Sequence, residues 1–157
     1  MIKNKQSWMV RQATLADLDG MMAFQLAMAR ETEDWELDPT TLERGMLLTL
    51  RDPNKGTYWV AAHEKELFGM LLTQHEWSDW RCANVVWIQS VYVRPDMRQR
   101  GVFQSLYQHV WAWVQASDEL SGVRLYVEKR NEVALSAYHA MGMRSDHYNL
   151  CEQMKFF

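Results

Sequence analysis

Val93-Arg94-Pro95-Asp96-Met97-Arg98-Gln99-Arg100-Gly101-Val102-Phe103 joins two different kinds of sequence. Ahead of it, Asn84-Val85-Val86-Trp87-Ile88-Gln89-Ser90-Val91-Tyr92-Val93 is rich in β-branched and aromatic side chains, which favour a long central strand. Behind it, Val102, Leu106, Val110, Trp113 and Val114 recur at three- and four-residue intervals, the stripe of a helix packed on a sheet, with a stop near Asp118. The first N–H groups of a helix have no internal partners and stand at the positive end of its dipole, so they bind phosphate well. Gly101 removes a Cβ from the approach, and Arg98 and Arg100 add positive charge. The stretch reads as a diphosphate cradle, although an Arg-x-x-Gly turn by itself is more often only a turn with solvated arginines.

Working outward, Trp8 to Ala13 reads as a short strand, and Thr14 with Asp17 as the cap of a first helix. Leu15, Leu18, Met21, Met22, Leu26 and Met28 carry that helix to about Arg30. Asp38-Pro39 opens a second, ending near Arg51-Asp52-Pro53. Gly56 to Ala62 and Leu67 to Thr73 form a hairpin about the turn Glu64-Lys65-Glu66, and a polar loop around Glu76 to Arg81 leads into the central strand. After the cradle helix, Val123 to Glu128 predicts a fifth strand. Asn131 then caps a helix through about Met141, stopped by Gly142, and Tyr148 to Phe157 predicts a closing strand. The order gives an α/β sheet with both faces partly covered, in a single domain over 1–157.

The 157 residues are 48% hydrophobic, enough for one core. The balance of 17 basic to 20 acidic residues and the lack of a dense Lys/Arg stripe argue against a nucleic-acid partner. Cys82 and Cys151 stand far apart, and the five His share no ligand spacing, so neither a disulfide framework nor a metal is expected. With no signal-peptide core and no membrane-length apolar run, a soluble cytoplasmic protein is the expectation. Eight Trp and eleven Met suit packing and a homodimer better than an aromatic substrate cage. No Gly-x-Ser-x-Gly elbow offers a nucleophile, which favours direct transfer over a covalent enzyme intermediate.

Two motifs together resemble the GCN5-related N-acetyltransferase (GNAT) family. Val93, Pro95, Arg98 and Gly101 match its Arg/Gln-x-x-Gly-x-Gly/Ala phosphate motif after a hydrophobic-x-Pro strand end. Asn131, Ala134, Tyr138, Gly142 and Met143 match its second motif, an Asn opening a helix, a Tyr seven residues on, and a Gly-hydrophobic pair. The position after Val102, small in most of the family, is Phe103 here. The resemblance implies a mixed, mostly antiparallel sheet of six to seven strands, flanked by about four helices and splayed at the central parallel strand pair. It implies acetyl-CoA, or another short acyl-CoA, as co-substrate. Val91, Tyr92 and Val93 would pair with the pantetheine arm, Arg98 would add charge, and Gln99, Arg100, Gly101, Val102 and Phe103 would hold the pyrophosphate. Asn131 would contact the cofactor, and Tyr138 would serve as general acid to the CoA thiolate. The Val93 N–H would meet the oxyanion.

Some family members place a Glu on the central strand as base; this sequence has Trp87 and Gln89 there. Glu33, Glu76 and Asp79 are the candidates for taking the amine proton through water, and Gln89 for touching the substrate. The expected acceptor is a primary amine of a small molecule. A catalytically silent acyl-CoA sensor or interaction module is the alternative, and protein N-terminal or lysine acetylation a third reading.

Overall fold

The computed structural model describes residues 8–155. The chain divides into two compact units, Met1–Leu125 and Tyr126–Phe157. The first holds the sheet. Strand β1 (Met9–Gln12) leads through a 3-10 turn at Leu15–Asp17 into α1 (Leu18–Glu33), followed by α2 (Pro39–Arg51). Strands β2 (Thr57–His63), β3 (Glu66–Ser78) and β4 (Ala83–Val93) follow, then a 3-10 turn at Pro95–Met97, α3 (Val102–Gln115) and β5 (Leu120–Leu125). The second unit carries α4 (Glu132–Ala140).

The five strands lie in the order β1-β2-β3-β4-β5, antiparallel except for the parallel pair β4 and β5. Among the described residues the strands number five, not six or seven. The expected closing strand is irregular over residues 148–155, with Tyr148, Leu150 and Met154 exposed. Its alternating apolar side chains suit a strand, but a strand forms only where a neighbour accepts its backbone bonds. Phe156 and Phe157 lie outside the described residues.

Period-two alternation sorts the sheet into two buried faces. Tyr58, Val60, Met70, Leu72 and Tyr92 pack against Met21, Phe24 and Met46 of α1 and α2. Trp59, Leu71, Val86 and Ile88 alternate with them, and the buried stripe Val102, Leu106, Val110 and Val114 of α3 covers that other face. Asp38 caps α2, its carboxylate accepting from the Thr41 N–H at 2.8 Å.

Three element boundaries differ from the sequence reading, the two in strands because pairing overrides local composition. β3 runs to Ser78, so Glu76 and Trp77 lie on a strand facing Val85 and Asn84 rather than in a loop. β5 is shifted to Leu120–Leu125, pairing with Asn84 to Ile88 of β4. α1 continues to Glu33 and ends at Asp34, whose φ of 52° turns the chain out of the helix. No helix among the described residues is long and apolar enough to cross a membrane.

Candidate functional site

The site grows from an irregularity in β4. Met70 faces Tyr92 while Leu72 faces Gln89, so Ser90 and Val91 together oppose the single residue Leu71. This is a β-bulge, with Ser90 in the left-handed region at φ 50°. On the other side, the β5 ladder stops at Ile88 opposite Leu125. Among the described residues, β4 therefore has no strand of the sheet on that side from Gln89 to Val93. The Arg94 N–H donates to the Phe68 carbonyl of β3 at 2.9 Å. Strand amides alternate in direction, so the Val93 N–H and C=O face the opposite, open edge.

That edge runs directly into the turn ahead of α3. Arg94 bonds Asp96 at 2.6 Å and Glu66 at 2.7 Å, which pushes its guanidinium further up its alkaline range and pins the strand end to the β2–β3 hairpin. Gln99 (φ 60°) and Gly101 (φ 89°) both take left-handed backbone to aim the chain into the helix. The α3 ladder opens with the Ser105 N–H on the Gly101 carbonyl at 2.9 Å. The Val102 and Gln104 amides precede that bond and so have no helical carbonyl behind them. A Cβ at Gly101 would meet nothing within 4 Å, so the approach there is open. The Phe103 ring lies 6.3 Å from that of Tyr107, along the helix, so its bulk runs down α3. This donor set fits a diphosphate.

Close helix approach depends on a glycine that the strand reading passed over. A Cβ on Gly69 of β3 would come 2.9 Å from the Tyr92 carbonyl oxygen and 2.9 Å from Val102 Cγ1. Its absence lets the first turn of α3 sit on the sheet beside the end of β4. A glycine inside an apolar strand pattern is the available sequence signal for such an approach.

Arg98 and Arg100 differ in their surroundings. Arg100 is exposed. Arg98 donates from Nε to the Val93 carbonyl at 3.0 Å and from Nη2 to Glu31 at 2.6 Å, and lies 5.4 Å from the centre of the Tyr92 ring. Tyr92 O–H donates to the other Glu31 oxygen at 2.9 Å. The Arg98 bond holds the Glu31 carboxyl below its usual range, while burial and Glu31 together raise the Tyr92 phenol. Glu31 was not among the sequence candidates, and its 67-residue separation from Arg98 leaves no local signal.

The sequence candidates fall into one contiguous group and several separate positions. Val91, Tyr92, Val93 and Arg98 to Phe103 form the continuous edge and turn. Gln89, half-buried, sits at the near side of the bulge. Glu33 is exposed at the end of α1. Glu76 faces Val85, eight residues and about 25 Å along β4 from Val93. It accepts from Trp87 Nε1 at 2.7 Å and Arg124 at 2.8 Å, and these bonds lower its pKa, which makes it a weaker base. Asp79 lies in the β3–β4 turn and accepts from the Trp80 N–H at 3.0 Å.

In the second unit, Asn131 caps α4, its Oδ1 accepting from the Ala134 N–H at 3.1 Å. Gly142 at φ 88° ends the helix, and the Met143 N–H returns to the Tyr138 carbonyl at 3.0 Å. Burial raises the Tyr138 phenol above its ordinary value. Among the described residues, no group of three or more His, Cys, Asp or Glu is placed to hold a metal ion.

The model of the acetyltransferase (GNAT) family matches residues 21–143. A possible acetyltransferase from Clostridium difficile 630 is 35% identical, with a TM-score of 0.88 over 96% of this chain and 99% of that one. An aminoglycoside N-acetyltransferase in complex with CoA shares the fold at 14% identity and a TM-score of 0.78, covering 99% of this chain and 100% of its own. A predicted acetyltransferase with acetyl-CoA from Clostridium acetobutylicum does so at 13% identity and 0.72, covering 92% and 96%. No curated protein matches.

Proposed function

The chain belongs to the acetyltransferase (GNAT) family, and from that premise we propose that it is an N-acetyltransferase that moves the acetyl group of acetyl-CoA to a primary amine of a small molecule, by direct attack in a ternary complex. One observation carries the reading: the edge of β4 that β5 leaves beyond Ile88 leads into the turn and first residues of α3, where the helical ladder has yet to begin. Open strand edges recruit extended ligands by backbone bonding, and helix N-termini recruit phosphates, so one continuous surface suits both parts of the cofactor. Two fold relatives carry CoA or acetyl-CoA by name.

On this reading, Val91 and Val93 receive the pantetheine arm, Tyr92 turning its own backbone groups to β3, and the amides from Gln99 to Phe103 receive the pyrophosphate. Arg100 brings positive charge to the same turn, while Arg98 is engaged by the Val93 carbonyl and Glu31. Acetyl-CoA supplies the acetyl group as an activated thioester. The Val93 N–H donates where negative charge develops on the acyl oxygen. Tyr138, a phenol that is protonated at neutral pH, gives a hydrogen bond or proton to the departing sulfur, and Asn131 holds the start of its helix. Binding beside the open edge orients the amine, and water carries its proton away from a strand whose Trp87 and Gln89 are no bases. Both units serve as one domain, since the family match spans residues in each. Trp77 and Trp80, 61% and 90% exposed, favour a homodimer.

Screening an amine library for acetyl-CoA-dependent thiol release tests the proposal. One or more small primary amines should be turned over. Acetyl-CoA binding with no thiol release in the presence of any amine would point to the silent sensor, and turnover of peptides alone to a protein acetyltransferase.

A further inference from the structure

Residues of an extended strand present N–H and C=O to the same side. Because the Arg94 N–H goes to Phe68 on β3, both Val93 groups face the edge where β5 has ended. An uncovered carbonyl beside the Val93 amide would oppose negative charge building on an acyl oxygen. Arg98 Nε covers that carbonyl at 3.0 Å. A guanidinium with no other anchor, on a turn suited to phosphate, would be drawn to the phosphates instead. Glu31 supplies the anchor, bonding Arg98 Nη2 at 2.6 Å. Its own orientation is fixed by Tyr92 O–H at 2.9 Å on the other carboxylate oxygen, and the guanidinium rests against the Tyr92 ring.

We infer that Glu31 is a positioning residue, which holds Arg98 on the Val93 carbonyl so that the open edge of β4 presents its N–H donor to the acyl group. The inference rests on the acetyl-CoA reading of that edge. Glu31 comes from the last turn of α1, so the clamp also ties that helix end to the end of β4. Both partners of the ion pair are more than two-fifths exposed, at 45% and 41%, and such pairs add little to global stability. Loss of the clamp is therefore read in the site rather than in folding.

Glu31→Gln in the full chain provides the test, with Tyr92→Phe as a second variant that removes only the hydroxyl bond to Glu31. Steady-state kinetics with an amine from the screen should show kcat lowered by roughly three- to tenfold, while KM for acetyl-CoA does not rise. Hydrogen exchange should quicken over 91–97 and stay unchanged across β2. Tyr92→Phe should move both readouts the same way by less. Wild-type kcat in Glu31→Gln, a higher KM with unchanged kcat, or faster exchange throughout the sheet would each overturn the role. If wild-type protein neither binds nor turns over acetyl-CoA, the cofactor reading fails instead, and the exchange measurement still decides whether the clamp exists.

Discussion

Asp17 is 6% exposed and charged, and its surroundings explain how. Arg11 donates two bonds to its carboxylate, each 2.8 Å, and the Thr14 N–H adds a third at 2.8 Å. The Arg11 bonds, before the others, lower its pKa. The ionised form is thus favoured by folding: its contribution is present above the unfolded value, near pH 4, and lost as pH falls through the lower folded value. Asp17→Asn should destabilise the protein by about 2 kcal/mol at neutral pH. Urea melts of both proteins should show that gap closing as pH drops below about 4. At Tyr138 the shift runs the other way, because burial disfavours the phenolate. Tyr138→Phe should lower turnover roughly tenfold or more, with a smaller change in KM for acetyl-CoA; stopped or steady-state thiol-release assays check it. Thr14, Asp17, Asn131 and Tyr138 could be picked out in the sequence because caps and motif spacings are local. Glu31 could not, because its partners lie more than sixty residues away.

Among the elements, the contact of β3, β4 and α3 decides whether the site exists. Gly69→Ala would force a Cβ to within 2.9 Å of the Tyr92 carbonyl and of Val102 Cγ1. One neighbour is backbone, so relief must come from moving α3 or β4. Overpacking of this kind costs about 1–3 kcal/mol. The variant should melt lower and bind acetyl-CoA more weakly, as thermal melts and calorimetric titration would show, because the shift falls on both the strand edge and the helix start. Local patterning of caps, apolar periods and β-branched runs announced α2, α3, β2 and β4 closely, and α1 to within three residues of its end. It failed at β3 and β5, where the partner strand and not the side-chain pattern sets the ends. The bulge at Ser90 and Val91 left no mark in composition.

For the whole molecule, binding to the native state must add to stability. At a hundredfold excess over its dissociation constant, acetyl-CoA should contribute about 2.7 kcal/mol. For a chain of this length that raises Tm by roughly 5–10 °C, and a scanning fluorimetry series against acetyl-CoA concentration checks it. An unmoved Tm at millimolar ligand would remove the cofactor from the account. The sequence alone determined that this is an α/β chain with a strand–turn–helix cradle and an Asn–Tyr helix, because those signals are periodicities and spacings carried within one element or across one turn. Only the tertiary structure decided that the sheet has five strands, that β4 bulges and outlasts β5, and that Arg98 is shared between Val93 and Glu31. Those features depend on which backbone groups find partners across the sheet, and pairing between distant segments is energetically decisive yet leaves no local trace in the order of residues.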